Sequence, residues 1–231
     1  MTCPSRVAVV ALSLVTLAGC SGSGADEPPA VSSSSTSLSS STSSPTTPLS
    51  PEQRELTAQQ VRVVLPQVQD LPGSWREVDV RDTSRLIAEP PECRDLYLRG
   101  EAAQGLRDDH LGVASAAAFT SGERRLEVSL LTFDEVVPQT VLEQAGQVVG
   151  PCSTHTVDLG DGPSDVAVSG LPVDEVGDQS LGLTTTTGGR PEQRLLVRSG
   201  HTLLVVVHRG AVDDPGALLH DVAQGMLDRV G

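Results

Sequence analysis

Apolar residues fall along this chain in three regimes. Val7 to Leu17 is a continuous apolar run of 11 residues. Residues 21–50 hold almost no apolar side chains; Ser32 to Ser44 is nearly all serine and threonine, with prolines at 28, 29, 45 and 48. From Leu56 onward, apolar positions recur at helical or at strand spacing, with turn residues between them. Thr57 can cap a helix over Leu56 to Val68, because Val61, Val64, Leu65 and Val68 share one helical face, and Pro66 ends or bends it. Asp70-Leu71-Pro72-Gly73-Ser74 is a turn into a strand around Trp75 to Val80. Pro90-Pro91-Glu92 leads into a short helix, Cys93 to Gly100, with Leu96 and Tyr97 facing inward.

Two strands follow, Val113 to Thr120 and Arg124 to Phe133. In the second, Leu126, Val128 and Leu130 alternate onto one face. Ser121-Gly122-Glu123 suits the hairpin between them, with glycine at a positive-φ position. Val141, Leu142, Ala145, Val148 and Val149 form a helical stripe from Pro138 to Val149, stopped by Gly150-Pro151. Ser153 to Val157, Asp165 to Val173 and Gln179 to Thr187 read as strands. So do Gln193 to Arg198 and Thr202 to His208, joined by a tight turn. Leu203 to Val207 is apolar at every position, as in a central strand covered on both faces. Asp214 caps a last helix that starts at Pro215 and buries Leu218, Leu219, Val222, Ala223, Met226 and Val230. Hairpin-length links imply an antiparallel sheet, so the expected class is α+β, with three or four helices packed on one face.

The apolar run at the start changes the picture most. It follows Arg6, is too short for the roughly 20 residues of a permanent membrane helix, and ends in Leu17-Ala18-Gly19-Cys20. That ending resembles the bacterial lipobox. The resemblance implies a signal peptide over residues 1–19, cut before Cys20, and a diacylglycerol on the Cys20 thiol. Two acyl chains hold a protein stably on a membrane where one is marginal. Residues 20–50 then read as a tether, with too little apolar surface to order itself and an r.m.s. span of roughly 30 Å. Ser/Thr-rich stalks of this kind can carry O-glycans. Residues 51–231 form a single globular domain, expected on the extracytoplasmic face of the cell membrane.

Composition narrows the partners. The chain carries 16 basic and 30 acidic residues, and its net charge of −14 argues against both nucleic acid and anionic lipid headgroups as partners. Every basic residue is arginine, which with the Ala, Gly and Val content points to an actinobacterial source. Trp75, Tyr97, Phe119 and Phe133 are too few and dispersed for an aromatic binding platform and are expected in the core. With Cys3 in the signal and Cys20 acylated, Cys93 and Cys152 remain to pair in an oxidising compartment. The alternative, a redox or metal pair, would want CxxC spacing or nearby histidines, and only His155 is close.

The search for catalytic chemistry yields no set. His110, His155, His201, His208 and His220 make no metal-binding spacing, and His201 and His208 would point to opposite faces of one strand. Ser164 and Ser169 lie near aspartates without a GxSxG elbow. Without lysine no Walker A loop can form. Asp158, Asp161, Asp165, Asp174, Glu175 and Asp178 lack the spacing of a calcium loop and read as solvated turns. No catalytic residue, metal ligand or cofactor is therefore nominated.

Lipobox, stalk and the Asp70-Leu71-Pro72-Gly73-Ser74-Trp75 segment together resemble actinobacterial exported lipoproteins. The order of elements over residues 56–230 resembles the PknH-like extracellular sensor domain, which mycobacteria carry on a receptor kinase and in free lipoproteins. That resemblance implies a helix-covered antiparallel sheet with a cleft for an unidentified ligand. This chain departs from the kinase domain in having cysteines for one disulfide rather than two, and no ligand-contacting residue carries over. A PsbP-like fold is the runner-up. The expected function is a non-enzymatic binding or sensor domain for a small apolar or envelope-derived ligand. A protein-interaction scaffold of the envelope and a hydrolase follow as alternatives.

Overall fold

The structure, a computed structural model, describes residues 55–81 and 85–230. The signal peptide, Cys20 and the tether lie outside the described residues. Nine strands form one antiparallel sheet in the order β1-β3-β4-β9-β8-β7-β6-β5-β2. In chain order these are β1 (Arg76–Val78), β2 (Ile87–Glu89), β3 (Leu111–Ser121), β4 (Arg124–Phe133), β5 (Thr154–Asp158), β6 (Pro163–Gly170), β7 (Gln179–Thr187), β8 (Arg190–Ser199) and β9 (Thr202–Arg209). The helices are α1 (Ala58–Val64), α2 (Glu101–His110), α3 (Thr140–Gln147) and α4 (Pro215–Val230), with a 3₁₀ helix over Pro91–Tyr97. The chain is α+β with an antiparallel sheet, as its pattern predicts.

The helices, however, divide between the two sheet faces. On the first face α1 and α4 pack on Phe119, Leu126, Val128, Leu195, Val197, Leu204 and Val206. On the second face α2, α3 and the 3₁₀ helix pack on Leu131, Phe133, Leu183, Leu196 and Leu203. The reason is visible in β8 and β9, where Leu195-Leu196-Val197 and Leu203-Leu204 are buried at consecutive positions. Successive side chains point to opposite faces, so such runs need cover on both. One helix layer on one face would leave half of them in water.

Local signals explain most boundaries. Thr57 and Gln60 form a capping box at the start of α1, which ends before Pro66. The Leu56 amide donates to the buried Thr132 hydroxyl at 3.0 Å, tying the start of α1 to β4. Gly122 turns the β3–β4 hairpin at φ +61°. Asp214 accepts from the Ala217 amide at 2.9 Å and caps α4. Elements that the pattern does not predict are β2 and α2. In α2 only Ala103 and Leu106 are buried, and Gly105 sits between them, so the helical stripe is thin.

Cys93 and Cys152 form a disulfide that joins the 3₁₀ helix to the segment after α3, across 59 residues of chain. Both are fully buried in the second-face core. Closing a loop of that length stabilises by about 4 kcal/mol in the chain-entropy model. Replacing both cysteines by serine is expected to lower the unfolding free energy by about 2–5 kcal/mol, read as a lower urea midpoint, and reductant is expected to leave that variant unchanged.

A second constraint sits where the strand-to-strand segment after β6 returns to the sheet. Gly177 adopts φ +68°, and a Cβ there would lie 2.7 Å from the Arg198 carbonyl oxygen. Gly177→Ala is expected to cost about 1–3 kcal/mol, measurable in the same unfolding experiment, whereas Gly188→Ala at the open β7–β8 turn meets no such contact.

Candidate functional site

The helices on the second face cover only one end of it. Beyond them the same face is the floor of a cleft of about 630 Å³. Its lining includes Ala114 and Ala116 of β3, Ser129 of β4, and Val205 and Val207 of β9. Thr185 of β7 and Val166 of β6 extend the floor, and Val157 and Leu159 close it on the β5 side. Seven strands thus contribute to one cavity, so the sheet curls around it. The other wall is Tyr97 of the 3₁₀ helix together with Arg99 and Arg107 at and within α2.

Charge crosses the floor as a ladder. Arg125 pairs with Glu127 on β4. Arg209 of β9 lies 3.1 Å from the Glu127 carboxylate and 2.6 Å from that of Glu192 on β8. Glu192 in turn accepts from Arg194 Nη2 at 2.8 Å. Strand register sets this order: Arg125 stands opposite Arg209, and Arg209 opposite Glu192. Burial alone would raise the Glu192 carboxyl, but the guanidinium groups of Arg194 and Arg209 outweigh it and hold its pKa below the usual value. Arg194 Nε is buried without a hydrogen-bond partner, and its guanidinium carbon lies 4.9 Å from the Tyr97 ring centroid.

Tyr97 is anchored from behind. His155 Nδ1 lies 3.0 Å from the Cys152 carbonyl oxygen, which can only accept, so Nδ1 carries the proton. His155 Nε2 is left to accept from the Tyr97 hydroxyl at 3.0 Å. Burial, with Glu192 adding to it and Arg194 opposing it, pushes the Tyr97 phenol up to about 12, so it stays a neutral donor. Arg107 donates to the Leu98 carbonyl. Its pKa is lowered to about 10, first by burial and then by the nearby Arg99 guanidinium.

The residues singled out in the sequence are distributed as follows. The disulfide lies at the covered end of the cleft face, behind His155, and does not line the cavity. Ser164 lines the cleft and Ser169 does not; neither His155 nor His208 is hydrogen-bonded to a serine. His208 is buried on the first face, 3.2 Å from the Gln193 side-chain oxygen. Asp158 and Asp178 serve turns, accepting from the amides of Gly160 and Gly162 and of Gly200 respectively. Trp75, Phe119 and Phe133 are core residues, but Tyr97 is half-buried on the cleft wall. Among the described residues no three His, Cys, Asp or Glu side chains gather as a metal site. Sequence reading missed the arginines. The usable signal was a charge pair at alternate positions, Arg125-x-Glu127 and Glu192-x-Arg194, on strands whose neighbours are apolar.

The geometry defines a cleft domain: an antiparallel sheet with helices over β3, β4, β8 and β9 on one face and over one end of the other. No family model and no curated protein matches the chain. Among solved structures, the extracellular domain of PknH from Mycobacterium tuberculosis aligns with a TM-score of 0.59 at 10% identity, over 76% of this chain and 99% of that one. An uncharacterised protein of Mycobacterium smegmatis aligns with a TM-score of 0.41 at 14% identity, over 68% of this chain and 85% of that one. The first likeness is one of fold, and it runs over nearly the whole of the kinase's domain.

Two buried groups give the fold an acid response. The His208 imidazole has its pKa lowered, by burial first and by Arg124 second, so it stays neutral in the fold. Stability contributed this way is present above the ordinary value of 6.5 and lost as pH falls through the lower folded value. Glu192 adds a second loss, which begins below its ordinary value of 4.5. Urea midpoints measured from pH 7.5 to 3.5 are expected to fall in two stages, with His208→Gln flattening the upper one and Glu192→Gln the lower.

Proposed function

We propose that the protein is a non-enzymatic binding domain, tethered to the outer face of the cell membrane by an acylated Cys20, that holds a small ligand with a substantial apolar body in the second-face cleft. The observation that carries this reading is the cleft itself. A folded sheet face of Ala, Val and Leu left open at one end is unfavourable in water unless something occupies it. Its volume of about 630 Å³ lies within the range of ligand pockets, roughly 300–1,000 Å³. The lipobox sequence and the fold shared with the extracellular domain of a receptor kinase support an extracytoplasmic location. No helix among the described residues is long and apolar enough to cross a membrane; the anchor of this reading is the acylated Cys20, supported by the lipobox sequence.

The other two readings have less behind them. Exposed large apolar residues such as Val63, Ile87 and Val136 belong to separate elements and loops, which gives a scaffold partner no evident single patch. For a hydrolase, no histidine among the described residues is hydrogen-bonded to a serine.

Native mass spectrometry of the protein released from its own membrane is expected to show a bound small molecule and a diacylglyceryl mass on Cys20. Ala116→Trp, which fills the cleft floor, is expected to abolish the bound mass while leaving the thermal midpoint within a few degrees. Protein that is repeatedly empty, with an unmodified Cys20 thiol, would defeat the proposal.

A further inference from the structure

The cleft is unlike the rest of the molecule in charge. The chain as a whole carries −14. Four arginines line the cleft, Arg99, Arg107, Arg194 and Arg209, against Glu127, Glu192 and Asp161. Both glutamates are already bound into the floor ladder, Glu127 by Arg125 and Arg209, and Glu192 by Arg194 and Arg209. Asp161 is exposed and forms no ion pair among the described residues. That leaves Arg99 and Arg107, both half-buried on the same wall, in no ion pair among the described residues.

Resting on the ligand-binding reading above, we infer that the cleft takes an amphiphile with a phosphate headgroup, the head held by Arg99 and Arg107 and the apolar body lying along Ala114, Ala116, Val205 and Val207. Two guanidinium groups held near each other without a counterion repel, and a shared oxyanion removes that repulsion. Burial is the main cause of the lowered Arg107 pKa, and the Arg99 guanidinium lowers it further against the opposing charge of Asp108. A phosphate monoester carries about −1.5 to −2 charges at pH 7, which suits a pair of cations better than a carboxylate does. Guanidinium forks also match phosphate geometry with paired donors. The headgroup can come from a lipid or from free phosphate, and the apolar floor favours the lipid-like source. Arg107 has a second task, donating to the carbonyl of Leu98, which caps the 3₁₀ helix at φ +52°. Among the described residues Arg99 makes no side-chain hydrogen bond, so it is the cleaner residue to change.

The test is isothermal titration of the full chain carrying Cys20→Ser, so that no acyl group competes, with octyl phosphate, 1-octanol and inorganic phosphate. Octyl phosphate is expected to bind at least about tenfold more tightly than octanol, the usual margin of a charge-assisted hydrogen bond. Arg99→Gln is expected to remove most of that margin without altering octanol binding or the urea midpoint, and Arg99→Lys to restore much of it. Octyl phosphate binding no tighter than octanol, or a margin that survives Arg99→Gln, would overturn the headgroup assignment and leave the apolar cleft standing. Inorganic phosphate binding as tightly as octyl phosphate would overturn the amphiphile. If none of the three binds, the ligand-binding reading itself falls.

Discussion

Burial on both faces of β4, β9 and β8 is the constraint from which the rest of the structure follows. At their covered ends these strands are apolar at consecutive positions, so both faces must be shielded. The first face receives α1 and α4 over β3, β4, β8 and β9. The second receives α2, α3 and the 3₁₀ helix at one end only. Where that cover stops, the inward positions switch from Phe133, Leu196 and Leu203 to Glu127, Glu192, Arg194 and Arg209. The cleft exists because the helical cover runs out there, while Ala116, Val205 and Val207 continue an apolar floor beside the charges.

Charges placed there must satisfy one another. Ion pairs in exposed positions contribute little, about 0–1 kcal/mol each. The floor ladder differs in being partly desolvated, with Glu127 and Glu192 side chains 12% and 18% exposed. Removing one member would leave its neighbours buried and uncompensated, which costs more than the pair contributes when intact. The ladder therefore fixes the floor by mutual dependence rather than by strong binding of any one pair. Tyr97 extends that order to the wall, held by Arg194 in front and His155 behind.

Much of this fold was legible in the sequence, because period and turn chemistry agree over β3, β4, β7, β8, β9 and α4. Leu203 to Val207 announced a central strand, and β9 lies between β4 and β8. The same run also implied cover on both faces, which one helix layer could not supply. The short edge strand β2 and the thin stripe of α2 were lost because each has few buried residues to set a period. The site was less legible than the fold. Arg99 lies before α2 and Arg107 within it, so the period of α2 alone does not link them, yet both line the same wall. No spacing rule encodes that meeting. Tyr97 is aromatic and so reads as core, but a phenol has a polar end, and here His155 engages that end while the residue lines the cavity.

Alternation in β9 has a further consequence for how the protein can change over generations. Leu204 and Val206 answer to the helical layer, while Val205 and Val207 answer to the cavity. Immediate neighbours in the gene are thus under separate masters. Drift at the odd positions can reshape what the cavity admits while the even positions hold the scaffold constant, so selectivity and foldedness are free to diverge along a single strand.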